Sequence, residues 1–283
     1  SSDTHVAGGS YTEETHFSKI GLLDGEPYLR GSVPFDGIYS LIARLWQPDS
    51  ILEIDEKNYL SFSPRLIRFG SSGLAGVWAE ENTRESIYNA FRRKETFGTS
   101  GPRIKVRFFA GYNFENSNLN DQDLIQEAYS KNVPMGGDII QEKGKNPRFL
   151  VWAISDPLGA PLQRVQIIKG WLADGEQREK VFDVACSDGQ GVNPLNHRCP
   201  DNGAKVNLDD CSISREKGNA EIKTFWKDPE FSNDQEAFYY ARVLENPTCR
   251  WSTWDAVRAE EKPRSDIPAT IQERAWSSPI WIK

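Results

Sequence analysis

The chain is poor in histidine: only His5, His16 and His197 occur in 283 residues. A hydrolytic zinc-type centre draws on several converging His or Cys ligands. These three stand in different contexts and do not spell out a complete His-rich site. Long apolar runs are also missing, and none approaches the roughly 20 residues that span a bilayer. Acidic residues outnumber basic ones, 41 to 34. The formal net charge of −7 argues against a nucleic-acid surface, which needs clustered Lys and Arg to neutralise phosphates. Ser1 to His5 carry no signal-peptide pattern, as expected of a mature secreted protein or a fragment. There is no GxSxG nucleophile elbow. Gly70, Gly73 and Gly76 precede a helix, but no Lys-Ser/Thr follows, so a P-loop is excluded. The stretch from Asn113 to Asp123 lacks the glycine and terminal glutamate of an EF-hand loop.

Enough chain is present for one large domain or two ordinary ones. Hydrophobic residues are 38% and charged residues 27%, a globular balance. Tryptophan is abundant, with seven of nine after residue 150. Large flat side chains in strand-like sequence suit a β-sandwich core. Cys186, Cys199, Cys211 and Cys249 show no CxxC spacing, which argues against a zinc ribbon. Their surroundings are rich in Asn, Asp, Gly and Pro, with little core to form, so crosslinks would stabilise them most. We expect two disulfides and an extracytoplasmic location, periplasmic or secreted. The three possible pairings stay open.

The hydrophobic pattern divides the chain. Residues 1–35 read as loop, with one short helix near Glu13 to Ile20. Ile38, Leu41, Ile42 and Leu45 form a helical stripe closed by Pro48 and Asp49. Residues 50–76 read as irregular. Asn82 followed by Glu85 makes a capping box for a helix over 83–95, with Arg92, Arg93 and Lys94 at its C-terminal end. Beyond Thr99-Ser100-Gly101-Pro102 the period becomes two, with Ile104, Val106 and Phe108 alternating with basic residues. Further strands are expected over 149–154, 162–171, 179–185, 237–244 and 275–282. Residues 255–268 read as a solvated loop.

Two groups of residues are candidates for chemistry. Asp3 and His5, two apart on a strand end, point to one side and can reach one metal ion. Glu80, Asn82 and Arg84 cluster at a helix N-terminus, where free N–H groups and an arginine suit an anion or a substrate carbonyl. Ser100 and Gly101 can line the same pocket. On spacing alone, a polar terminus and ordinary capping are the simpler accounts of these groups.

The motifs are more specific together. Gly73–Ile87 (GLAGVWAEENTRESI), Arg92–Ile104 (RRKETFGTSGPRI), Gln166–Trp171 (QIIKGW), Phe238–Trp251 (FYYARVLENPTCRW) and Ala275–Trp281 (AWSSPIW) resemble the DUF3604 family over essentially the whole chain. The helix followed by Thr-Ser-Gly-Pro is also similar to carbaryl-hydrolase-type metallohydrolases, and both groups are related to the PHP phosphoesterase fold. The resemblance implies an α+β protein. The C-terminal part of a PHP-like α/β metal-binding domain would span 1–102, and a Trp-rich all-β sandwich would span 103–283. It makes Ser2-Asp-Thr-His5 the last metal motif of that domain, with Asp3 and His5 as ligands to a divalent ion such as Zn, Mn or Fe. The other ligands would come from an N-terminal segment of the same precursor. The implied activity is hydrolysis of a small-molecule phosphate, sulfate or carbamate ester by metal-activated water, with this chain inactive by itself. The alternative is a non-enzymatic sandwich that binds a carbohydrate or a partner protein.

Overall fold

The computed structural model describes residues 12–21, 24–46, 48–60, 66–114 and 117–283. Asp3 and His5 lie outside these. The described chain is mostly β, with four α-helices. The helices are α1 (Ile38–Trp46), α2 (Arg84–Arg92), α3 (Leu124–Lys131) and α4 (Trp251–Arg258). The early strands are β1 (Ile51–Ile54), β2 (Lys57–Leu60), β3 (Leu74–Val77), β4 (Thr96–Thr99), β5 (Lys105–Gly111), β6 (Val133–Pro134), β7 (Asp138–Ile139) and β8 (Arg148–Ile154). The later ones are β9 (Leu162–Ala173), β10 (Glu176–Cys186), β11 (Glu221–Lys227), β12 (Ala237–Glu245), β13 (Thr248–Cys249), β14 (Thr270–Ile271), β15 (Arg274–Ser277) and β16 (Ile280–Ile282).

Alternation builds a sandwich from these strands. In β5, Val106, Phe108 and Ala110 are buried and stand opposite Ala153, Val151 and Phe149 of β8. In β12, Ala237, Tyr239, Ala241 and Val243 are buried with the same period of two. They join Val165 and Ile167 of β9 and the β5–β8 set in one apolar core. Each large side chain buried there contributes about 1.5–3 kcal/mol. The larger sheet has eight strands, in the order β10-β9-β12-β15-β4-β3, with β16 beside β12 and β7 beside β16. The smaller sheet runs β11-β8-β5-β6. β15 and β16 pair with different stretches of β12, so the expected 275–282 strand is two short ones. The sandwich also recruits chain from before residue 103, because β4 pairs with β15 and β3 with β4.

Several local expectations change. Residues around Glu13 to Ile20 form turns, not a helix. Ser18 and Asp24 capture the local backbone N–H groups that a helix would use. α2 is capped by Thr83, not Asn82: Thr83 Oγ1 accepts from Ser86 N at 3.3 Å, and Ser86 Oγ accepts from Glu81 N at 3.1 Å. The N-cap lies one residue later than expected, and the return bond of a capping box goes to Glu81 N, outside the cap residue itself. Residues 50–76 contain the β1–β2 hairpin, whose turn residues Asp55 and Glu56 both have positive φ (53° and 62°). That geometry usually calls for Asn-Gly, which hid the hairpin. The 255–268 stretch is not wholly solvated: Asp255, Arg264 and Ile267 are buried, and α4 supplies the start of it.

Candidate functional site

At one end of the sandwich, a seam of polar side chains is buried between described residues of the 13–73 stretch and the β12–β15 end. Ser100 sits where β4 leaves the sheet. Its N–H donates to Arg274 O at 2.9 Å, and its Oγ accepts from Arg274 N at 2.8 Å. The same hydroxyl donates to Glu273 Oε2. Gly73 allows this corner to close, since a Cβ there would lie 2.6 Å from Thr99 O. Glu273 is only 3% exposed, and its Oε1 is buried with no hydrogen-bond partner. Burial pushes its carboxyl up to about 7, opposed by the Ser100 hydrogen bond and reinforced by Glu13. Glu245 N donates to Glu273 O at 3.0 Å. The Glu245 carboxyl accepts from Ala160 N at 3.3 Å and leaves Oε1 unpartnered. Burial first, then the nearby Glu273 and Asp156, push it up to about 8.

Glu13 continues the seam. Its two oxygens accept from Ser71 N at 2.5 Å and from Trp251 N, at the start of α4, at 2.7 Å. His16 lies against the Trp251 ring, centroids 4.7 Å apart, with Nδ1 buried and unpartnered. Burial and then the Arg30 charge lower its pKa to about 4, so the imidazole is neutral at physiological pH. His16 shares a small recess with Lys19, Asp24, Arg30, Phe69, Gly70 and Trp251. Burial works against ionising Asp24, but the Ser18 hydroxyl and the N–H groups of Lys19, Ile20 and Gly21 hold its carboxyl below the usual range. Arg30 closes the floor with a two-pronged ion pair to Asp255 at 2.7 and 2.6 Å, and Ser32 Oγ donates to the same carboxylate at 2.5 Å.

The expected pocket residues do not all converge. Glu80, Asn82 and Arg84 are exposed at the N-terminus of α2, where Glu80 meets Ser86 and Arg93. Ser100 and Gly101 lie at the opposite end of the β3–β4 pair, in which Val77 stands opposite Thr96 and Leu74 opposite Thr99. At about 3.3 Å per residue the two groups are on the order of 10 Å apart or more along the strand. Of the five, the seam includes Ser100, with Gly101 buried beside it. Reading the sequence missed Glu245 and Glu273. Each ends or adjoins a strand and looks like any exposed glutamate; only the fold shows that both are buried. Among the described residues, no group of three or more His, Cys, Asp and Glu side chains is arranged to hold a metal ion.

Two disulfides, Cys186–Cys199 and Cys211–Cys249, tie the long loops between β10 and β13 to the sandwich. Among the described residues, no helix is long and apolar enough to cross a membrane. Fold and seam together define a disulfide-linked β-rich protein with ionisable groups buried at one end of a sandwich. The chain belongs to the DUF3604 family, described as a protein of unknown function, whose family model matches residues 1–283. No curated protein and no solved structure matches it.

Proposed function

We propose that this chain is part of a metal-dependent hydrolase of small-molecule esters, of phosphate, sulfate or carbamate type, working in the periplasm or outside the cell. The PHP-like kinship and the metal come from the resemblance of its motifs. The described residues by themselves do not fit an ion. A centre that uses Asp3 and His5 therefore draws on residues outside them, and no chemical step is assigned to the ion here.

The observation that carries the reading is the Ser100–Glu273 pair. A half-buried hydroxyl in the Thr99–Pro102 turn is held by a buried carboxyl titrating at about 7. Ionisable groups driven toward neutrality by burial cluster at functional sites. Glu273 is too buried to touch a substrate directly and acts through Ser100. It fixes the hydroxyl and decides whether that hydroxyl donates or accepts. Protonated Glu273 can donate to Ser100 Oγ, which then accepts from both Glu273 and Arg274 N and can give its own proton elsewhere. Ionised Glu273 takes the Ser100 proton in a hydrogen bond and leaves one lone pair of the oxygen beside the Arg274 N–H bond.

The test compares the native protein with Asp3→Ala, His5→Ala and Glu273→Gln. Metal content is read by elemental analysis, and turnover with aryl phosphate, sulfate and carbamate esters across pH. We expect metal and activity to fall together in the first two. In Glu273→Gln the metal should stay while kcat falls about tenfold or more and loses its inflection near pH 7. Undiminished metal and turnover in all three would rule the proposal out.

A further inference from the structure

The outer face of the larger sheet, turned away from the core, carries aromatic side chains in register. Phe238 and Tyr240 are two apart on β12 and share a face. Trp281 of β16 stands opposite Phe238, and Trp276 of β15 opposite Arg242, which places both on that face. The Phe238 and Tyr240 rings are nearly parallel, 14° apart in tilt with centroids 6.4 Å apart, and Trp281 extends the row 5.0 Å from Phe238 at a tilt of 48°. The lie of the Phe238 ring has a cause in the sequence. Gly170 of β9 stands opposite Phe238, and a Cβ there would lie 2.3 Å from Phe238 Cζ. Without that atom the Phe238 ring lies down across the neighbouring strand. Trp281 is 42% exposed, and Phe238, Tyr240 and Trp276 are half-buried. Planar polar groups edge the row. Glu179 stands opposite Gly170 and Gln177 opposite Leu172, both exposed, while Arg242 donates to Gln166 Oε1 at 2.7 Å.

We propose that this strip binds a neutral saccharide chain. A pyranose ring presents flat C–H faces and a perimeter of hydroxyls. Adjacent aromatic rings take the faces, while carboxylate, amide and guanidinium groups at the edge take the hydroxyls. Protein partners favour anchors that insert into pockets, whereas these rings lie along the sheet. Single-stranded nucleic acid also stacks on aromatics, but it needs a cationic groove, and here the rim carries Glu179 on a chain of net charge −7. Phe238 and Glu245 lie at opposite ends of β12, on the order of 20 Å apart. The strip is thus a second site, independent of the seam and of the hydrolase reading.

The test is affinity electrophoresis of the whole chain in native gels containing barley β-glucan, hydroxyethylcellulose, xylan, galactomannan or laminarin. At least one polysaccharide should retard the wild type. Retardation should weaken about tenfold in Trp281→Ala and in Phe238→Ala, survive in Trp281→Tyr, and be unchanged in Trp152→Ala, which alters a tryptophan on the smaller sheet. Thermal unfolding confirms that each variant is folded. No retardation of the wild type by any of the five would overturn the proposal. So would equal loss in Trp152→Ala, or a Trp281-dependent self-association in place of binding.

Discussion

The sandwich and the segment over residues 12–73 are held by different physics. The sandwich closes on a continuous apolar core drawn from both sheets. Among its described residues, the 12–73 segment has little such core. Ile67 joins Trp251 and Ile267 in a small cluster, while the stripe of α1 stays outside, with Ile38, Leu41, Ile42 and Leu45 exposed by 69, 60, 46 and 75%. Three arginines fix the segment instead. Arg30 pairs with Asp255. Arg250 Nη2 donates to the carbonyls of Ile67 and Phe69 at 3.0 and 2.9 Å. Arg264 Nη1 donates to Gly31 O at 2.6 Å. Apolar burial is non-directional and tolerates repacking. A guanidinium in a buried floor sets one geometry and becomes costly when its partner is removed. The segment that lines the recess is therefore positioned more exactly than its small core would suggest, and it is also more brittle.

Breaking the polar anchor should separate the two regions. Asp255→Ala leaves Arg30 buried without its carboxylate and should cost about 3–5 kcal/mol. Hydrogen exchange should rise around residues 24–33 while β5 and β8 keep their protection. Ile167→Ala, a core truncation costing about 2–5 kcal/mol, should lower the protection of both regions together. Uniform loss in Asp255→Ala would mean that the segment has no separate stability.

The disulfides should divide along the same line. Their loops span 13 and 38 residues, so each should contribute about 2–4 kcal/mol, with Cys211–Cys249 worth about 1 kcal/mol more. Cys249 directly precedes Arg250, so replacing the Cys211–Cys249 pair by serine should also loosen the backbone at Ile67 and Phe69. Replacing Cys186 and Cys199 should not. Urea denaturation gives the first comparison and hydrogen exchange the second.

Acid and base should strain opposite sides of the seam. The Glu273 carboxyl titrates at about 7 in the fold and about 4.5 in the unfolded chain. The fold holds a proton that the unfolded chain has released, so stability is greatest below about pH 4.5 and falls as pH rises to 7. Glu273→Gln should remove that loss, on the order of 2–3 kcal/mol, and be the more stable protein at pH 8. His16 runs the other way. Its pKa falls from 6.5 to about 4, so its contribution is lost as pH drops through that range. Unfolding measured from pH 4 to 8 checks both signs. The smallest effect should be Leu45→Ser. With Leu45 75% exposed, stability should change by less than about 0.5 kcal/mol, while binding of a hydrophobic dye at the α1 stripe should decrease.

Much of the sandwich was legible because alternation is a local signal. Val106, Phe108, Phe149, Val151 and the β9–β10 hairpin announce themselves by period and by the Asp174-Gly175 turn. The two disulfides followed from loop composition, but their pairing did not, since it depends on which loops meet. β3 and β4 were hidden because each is four residues long, and β4 takes its other partner, β15, from far along the chain. The seam was harder still. Glu245, Glu273 and Glu13 owe their properties to being enclosed by distant segments, and nothing within a few residues of each predicts enclosure. Ser100 was found through the motif around it, while Glu80, Asn82 and Arg84 from the preceding motif stand at the other end of the strand pair.

The placement of β4 also sets a timetable. Arg274 and Ser100 bond to each other across 174 positions of sequence. A ribosome adding about 5–20 residues each second takes on the order of ten seconds or more to deliver β15 after β4. Throughout that interval β3 and β4 form at best an isolated hairpin, which is marginal in water. One edge of the larger sheet and the Ser100–Glu273 corner must therefore wait until β15 has been made. A nascent chain stalled before residue 270 would carry the motif complete in sequence and the site unformed.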